Sequence, residues 1–426
     1  MRVLYLVPQP KRPGQLSAYT FIDEEIHALA TAGVDAFVLS TRATGDTEVG
    51  AVKLRSLPSS SSLRERAQTT AFALEGRAAI PVANVLHARE LYRAMAIERF
   101  AAEIVDEEGI DLIHSHFGWP GSFGGMLAAA ATNRPLVACL RGADILLDGQ
   151  IEYGRRSHPF HDRAIRRLLA AADRTVYFSA FMRDCAVALG APLDRTRVVE
   201  KGVDRSRFQP AKDRQQLKRE LNLPERPMLL AVGGLIPRKG VHLMLEAAAR
   251  LRDTHDFSIV VCGDGTERAR LQGLSETLDI SNRTYFLGRV DRDAVPAYFA
   301  ACDVFVLAST LEAAGNVLLE AMASARPVVC MDSGGPPEYV EDGKTGFVVP
   351  LADVKALADR IRLLLDDPVL AEELGRHGRA IVDSRLDSQR MTLDVLRIYD
   401  EVTADSIRPS DHLLPHKPHT QPAYRA

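Results

Sequence analysis

The sequence predicts an α/β protein built as two doubly wound, Rossmann-like domains, and three observations predict it. The chain has 426 residues, too many for one ordinary core, and a division into two domains of about 200 residues follows. Short apolar runs such as residues 3–7 (VLYLV) and 228–232 (MLLAV) lack the alternation of a half-exposed strand and read as buried parallel strands. After several of these runs a glycine-bearing loop opens a helix, which is the arrangement that seats ligands at the carboxyl ends of parallel strands.

Composition excludes several classes. A formal charge of -3 argues against nucleic-acid binding, which shows as a strongly basic domain. No apolar run reaches the length of a membrane span, and the start MRVLYLVPQPKRPG lacks the apolar core and small-residue cleavage site of a signal peptide, so a cytoplasmic location is expected. The five cysteines, at 139, 185, 262, 302 and 330, are odd in number and form no C-x-x-C pair, so they read as buried thiols.

In the first half, residues 3–7 form the first strand, and a loop with Lys11, Arg12 and Gly14 leads to a helix over 17–32 with Ser17 as its N-cap. Residues 35–40 (DAFVLS) are the second strand, 52–54 lie in a third, and Pro58 with the serines at 59–62 marks an exposed loop. Residues 63–108 have helical period with scattered arginines. They read as a solvated face, the alternative being attraction to anionic lipid headgroups. In residues 111–121 (DLIHSHFGWPG) a strand ends in polar residues before a helix over 122–131. His114 and His116 share one side of that strand, but with no Cys or Asp nearby to complete a ligand set no metal is expected. Strand 136–140 closes on Arg141-Gly142-Ala143-Asp144, where Arg141 offers a permanent fork of donors suited to a carboxylate or phosphate. Residues 155–167 are basic, and strand 175–179, helix 181–189 and strand 197–200 finish this half.

The second half opens with strand 228–232, whose loop (residues 233–240, GGLIPRKG) sets Arg238 and Lys239 beside glycines at a helix start, an anion site by charge and by backbone N–H groups together. Strand 257–262 ends in Gly263-Asp264-Gly265, too little of the dinucleotide fingerprint to imply a nicotinamide cofactor. Strand 284–287 precedes Gly288-Arg289-Val290. Strand 303–307 then runs into residues 308–323 (ASTLEAAGNVLLEAMA). Gly315, Asn316 and Val317 begin a helix whose free N–H groups suit a phosphate. Glu312 and Glu320 stand eight positions apart, on the order of 12 Å at ~1.5 Å per residue. One ligand atom cannot meet both, whereas a ligand with hydroxyls at each end and negative charge between, such as a nucleotide sugar, can. Glu320 sits in an apolar run where an unpaired carboxylate is costly. Strand 327–331, a glycine loop over 333–338, strand 343–350 and helices from 353 to 405 follow, and the Pro- and His-rich tail 406–426 is expected to be disordered.

The pattern E-x7-E with Gly315 inside it and Ala321-Met322-Ala323 after it resembles the retaining glycosyltransferases of family four. Residues 111–116 match that family's D-x-x-H-x-H, Arg141 to Asp144 stand where relatives carry H-G-x-D, and Lys201-Gly202-Val203-Asp204 with Phe208 resembles an N-G-V-D-x-x-x-F linker. The resemblance implies the GT-B fold: an acceptor-binding domain over 1–205, a nucleotide-sugar-binding domain over 206–385, and a helix over 386–405 crossing back to the first. It implies transfer of a hexosyl group, with retention, from a nucleotide diphosphate sugar to a glycan or lipid-linked acceptor in surface polysaccharide assembly, with no metal or other cofactor. The implied catalytic residues are His116, at the reacting centre, and Glu312, on the donor hexose. Glu320 falls to the ribose, Gly288, Arg289 and Val290 to the base, and Gly234, Arg238, Lys239, Gly315, Asn316 and Val317 to the diphosphate. Relatives carry Arg at the position of Gly234, and Arg238 can supply that contact. Gly14, Arg141 and Asp144 are acceptor-side candidates. Peripheral contact with the inner membrane face stays open. The rival readings are a glycoside hydrolase, whose carboxylates stand ~5 to 10 Å apart, a sugar-nucleotide epimerase of the same fold, and a non-catalytic nucleotide-sugar-binding protein.

Overall fold

The computed structural model describes residues 1–8, 20–40, 47–57 and 88–406. Gly14 with its loop, the serine run, residues 63–87 and the tail from 407 lie outside them.

The first sheet has eight strands in the order β3-β4-β2-β1-β5-β6-β7-β8: β1 (Arg2–Val7), β2 (Asp35–Ser40), β3 (Thr47–Val49), β4 (Val52–Ser56), β5 (Leu112–His116), β6 (Leu136–Cys139), β7 (Arg174–Tyr177) and β8 (Thr196–Val198). All neighbours run parallel except β3 with β4, an antiparallel edge hairpin that the sequence reading lacked. Strand β1 is buried from Val3 to Val7, because helices cover both faces of a parallel sheet. Those helices are α1 (Thr20–Thr31), α2 (Ala88–Glu108), α3 (Phe123–Thr132), α4 (Pro159–Ala171) and α5 (Ala180–Ala188).

The second sheet has six parallel strands in the order β11-β10-β9-β12-β13-β14: β9 (Met228–Val232), β10 (Ser258–Cys262), β11 (Thr284–Gly288), β12 (Val304–Leu307), β13 (Val328–Met331) and β14 (Gly346–Val349). Its helices are α6 (Arg214–Glu220), α7 (Val241–Ala249), α8 (Arg268–Thr277), α9 (Val295–Ala301), α10 (Asn316–Ala323), α11 (Val354–Asp366) and α12 (Pro368–Ser384), and α13 (Ser388–Ser406) closes the described chain. Local chemistry sets several of their starts. Asp213, Asp353 and Asp367 accept from the backbone N–H groups of Gln216, Ala356 and Leu370, and Pro368 fits the first turn, where no N–H is needed. No described helix is long and apolar enough to cross a membrane.

Both sheets turn their carboxyl ends toward each other. Ser179 Oγ donates to Ala313 O at 2.6 Å, and the Glu338 carboxylate accepts from Ala180 N and Phe181 N at 2.7 Å each, an anion on the positive end of α5. One apolar core is continuous from the first sheet through Val199, Val203 and Phe208 into the second. Helix α13 returns to the first half, where it packs on α1. The linker and the start of α13 are stitched together by Val203 N to Leu386 O at 2.9 Å and Ser388 N to Val203 O at 3.2 Å. A Cβ added to Gly202 would lie 2.6 Å from Ser388 Cα and 2.7 Å from Asp387 O. Gly202→Ala must therefore push the linker and the α13 start away from each other. We expect a loss of about 1–3 kcal/mol, seen as a lower unfolding temperature, while Gly190→Ala, with nothing near its Cβ position, serves as the control for open space at a strained φ.

Candidate functional site

Strands β9 and β12 are neighbours, so their following loops lie side by side. Gly240 takes φ +61°, and a Cβ there would run into the carbonyl of Ala308, so the Arg238–Lys239 loop can sit directly on the Ser309–Glu312 loop. Glu312 is buried and paired with Lys239 Nζ, with Arg238 Nη1 at 3.5 Å and with Ser309 Oγ at 3.3 Å. Burial pushes its carboxyl up, but Lys239 and Arg238 together outweigh that and hold it below the usual carboxylate range. Its backbone reaches the next loop: Glu312 N donates to Ser333 O at 2.9 Å and Gly335 N donates to Glu312 O at 3.0 Å. Arg238 also donates to Leu311 O at 3.0 Å and lies 4.7 Å over the ring of Tyr153 from the first half.

Gly315, at φ +87°, caps α10 with no side-chain partner for its first N–H groups, which leaves Asn316 and Val317 at an uncapped positive end. About a turn further on, Glu320 is half-buried, and no ion pair or hydrogen bond to its carboxyl group is formed among the described residues. Burial pushes its carboxyl up to about 7 against the pull of Arg207, Arg292 and Lys201. Those two arginines are held by Glu24 of α1: Arg207 Nη1 at 3.3 Å, and Arg292 in a direct ion pair. Gly288, at φ +72°, accepts from Gly263 N at 2.8 Å, Arg289 is exposed, and Val290 and Val317 pack on the same core. Gly234 has ordinary backbone, with only Asp264 O at 4.0 Å from a Cβ position.

In the first half, β5 brings His114 and His116 onto one face, ring centroids 4.6 Å apart. His116 is 1% exposed and its Nδ1 is 2.9 Å from Arg141 Nη2. Arg141 does not reach outward as an open fork: the same Nη2 meets Glu25 Oε2 at 2.7 Å, and Phe178 and Phe21 lie beneath the guanidinium at 4.5 and 5.2 Å. Lys201 is buried beside it, 4.8 Å over Phe178, and burial lowers its ammonium to about 8 although Glu25 opposes. Asp144 is fully buried under Gly118, with Arg155 at 4.0 Å, and burial raises its carboxyl. His114 Nδ1 is 2.5 Å from Tyr399 OH of α13, which donates to Tyr5 OH at 3.2 Å.

One expectation needs correction. A thiol does stand near the histidines: β5 and β6 pair His116 with Cys139, and the ligand atoms of His114, His116 and Cys139 lie within 4.8 Å of one another. The parallel register that joins them is set by tertiary packing and leaves no mark in residue spacing. Sequence reasoning also missed Glu25, Lys201 and Tyr399 as members of the site. Glu25 did leave a signal, an acid on the stripe Ile22, Ile26, Leu29 that α1 buries.

Residues 19–207 match the family model described as Glycosyltransferase Family 4, and residues 213–381 match the one described as Glycosyl transferases group 1. A GDP-mannose-dependent alpha-(1-6)-phosphatidylinositol monomannoside mannosyltransferase of Mycolicibacterium smegmatis is 30% identical over 285 residues, 65% of this chain and 72% of that protein. A D-inositol 3-phosphate glycosyltransferase of Salinispora tropica is 34% identical, over 71% of this chain and 67% of that protein. Among solved structures, sucrose-phosphate synthase from Thermosynechococcus elongatus superposes with a TM-score of 0.76 at 21% identity, covering 95% of this chain and 100% of that one. The HepE protein of Anabaena, solved in complex with UDP-glucose, gives 0.71 at 20% identity, covering 94% and 100%.

Proposed function

Because the chain belongs to glycosyltransferase family 4 and has the GT-B fold, we propose that it moves a hexosyl group from a nucleotide diphosphate sugar to a glycan or lipid-linked acceptor with retention of configuration, in cell-surface polysaccharide or glycolipid assembly. The observation that carries the reading is Glu312 buried between Lys239 and Arg238, next to the uncapped start of α10. Cations and backbone N–H groups converge there on a place where a diphosphate can sit, and a departing diphosphate gathers the negative charge that such groups stabilise without reorganising. We assign Glu312 to the transferred hexose, Glu320 to the ribose, Gly288, Arg289 and Val290 to the base, and His116 to the sugar from the facing side. The activities for which those relatives are named, on a phosphatidylinositol monomannoside and on D-inositol 3-phosphate, favour a polyol or glycan hydroxyl as acceptor. We further propose a cytoplasmic site of action, at the inner membrane face when the acceptor is lipid-linked. No metal enters the reading, since Arg238, Lys239 and the α10 terminus can supply the charge that a leaving diphosphate needs.

The direct test is incubation with a panel of radiolabelled nucleotide sugars, in excess chelator and without it. Slow hydrolysis of one donor, unchanged by chelator, is expected. No donor consumed would sink the proposal, and activity abolished by chelator and restored by one metal would overturn its metal-free form.

Glu320 gives the reading a pH signature. Ribose hydroxyls donate more strongly to the carboxylate, which accepts on both oxygens, than to the acid, which accepts on one and donates from the other, so a carboxyl at about 7 holds the donor better once it has lost its proton. The donor KM should fall as pH rises through about 7 and level off above, and Glu320→Gln should raise KM and remove that step. A parent whose donor KM is flat across the same range contradicts the assignment.

Arg238→Ala should lower donor turnover. Since Gly234 has open space and no positive φ, adding Gly234→Arg to that variant should recover some of the loss. Unchanged turnover in Arg238→Ala would leave the diphosphate to Lys239 and the helix end.

A further inference from the structure

A guanidinium has five N–H donors and no acceptor. Arg141 Nη2 lies 2.9 Å from His116 Nδ1, so that nitrogen must accept, and the imidazole is neutral with its proton on Nε2. The charge environment agrees: burial, then His114 and Arg141, hold the His116 imidazolium well below its usual range, against the pull of Glu25. Arg141 cannot easily turn away. Glu25 holds the same nitrogen at 2.7 Å, and the rings of Phe178 and Phe21 close its apolar side. Glu25 in turn stays ionised, because the Arg141 guanidinium it touches, together with Lys201, outweighs the burial that would protonate it. At the far side of the ring, His116 Nε2 is buried with no hydrogen-bond partner among the described residues. An N–H left so is costly unless a ligand supplies the acceptor.

We propose that Arg141, anchored by Glu25, is a positioning residue that locks His116 in the Nε2–H tautomer, so that the ring meets the sugar as a hydrogen-bond donor to an oxygen of the transferred hexose. This rests on the reading above that His116 serves the donor sugar. Two roles are then closed to His116. Its Nε2 has no free lone pair with which to take a proton from the acceptor hydroxyl, so it is not the general base. Neither nitrogen offers a lone pair to an ion, so the triangle with His114 and Cys139 does not bind metal while Arg141 is in place. The arginine that stands where relatives carry histidine is thus turned inward, onto the reacting centre's own side chain, and not out toward phosphate.

The test is the two-bond 15N–1H spectrum of protein labelled at histidine nitrogens, with the His116 signals assigned by their loss in His116→Gln. The parent should show one neutral ring with the proton on Nε2 at neutral pH. Arg141→Met alone strands the buried Glu25 carboxylate and risks unfolding, so the paired variant Glu25→Gln with Arg141→Met is measured beside it. In the paired variant the ring should become a mixture of tautomers, and kcat should drop at least about tenfold with the donor KM little changed. A parent ring protonated on Nδ1 or on both nitrogens overturns the proposal, as does a paired variant that keeps the single Nε2–H form. A mixed ring with unchanged kcat also overturns it, because the tautomer then does not matter to the sugar. The spectra need neither substrate nor turnover: a parent that is Nε2–H yet consumes no donor defeats the assigned reaction and leaves the tautomer lock standing.

Discussion

Glu312 is the point on which the carboxyl edge of the second sheet depends. A buried carboxylate without partners is costly enough to protonate or to disrupt its site. Here Lys239 and Arg238 come from the loop after β9, Ser309 from the loop after β12, and the backbone of Glu312 pairs with Ser333 and Gly335 after β13. Three loops are thereby fixed by one residue, and the uncapped start of α10 is fixed with them. Removing one member of such a buried set typically costs 3–5 kcal/mol through the charge left behind. Any effect of a Glu312 substitution on turnover therefore has to be separated from loss of the loops it joins.

The first half repeats the device with the opposite emphasis. There one carboxylate, Glu25, faces Arg141 and Lys201 under a lid of Phe21 and Phe178. Arg141 after β6 and Lys201 after β8 surround one buried anion, just as Lys239 and Arg238 after β9 surround Glu312 after β12. In each half the central carboxylate, Glu25 or Glu312, is thus held by local cations, and in the first half Asp144 lies buried close by. In the proposed reading a nucleotide sugar between the halves sets its diphosphate by Lys239 and Arg238 and its sugar against His116 and Glu312.

Much of this was legible because parallel strands buried on both faces must be apolar throughout. Strand β2 and strand β9 agree with the reading from residue runs alone, and glycine loops at strand ends marked the carboxyl edges where Arg238, Lys239, Glu312 and Gly315 come together. The hairpin β3 was missed since Thr47–Val49 is three largely exposed residues, too few for any period to register. Cys139 beside the histidines was missed for a different reason, as inter-strand register is decided by which strands become neighbours. Arg141 was read as an outward fork because a sequence shows that a cation follows a strand but not that a glutamate from α1, far away in the chain, is folded over it.

That same helix ties the two halves electrostatically. Glu24, next to Glu25 on α1, holds Arg207 of the linker and Arg292 of the second half, and these are the cations that pull on Glu320. Partly exposed ion pairs of this kind are worth about 0–1 kcal/mol each, so the contact is easily exchanged for another. While Glu24 keeps the arginines, Glu320 has no direct partner and its carboxyl stands high. Glu24 is the anion the two arginines share, and Arg207 is held besides by Asp293 at 3.4 Å and by the carbonyl of Arg292. Helix α1 thus decides which carboxylate the two arginines face, and Gly202 with the start of α13 is the stitched seam that joins the halves.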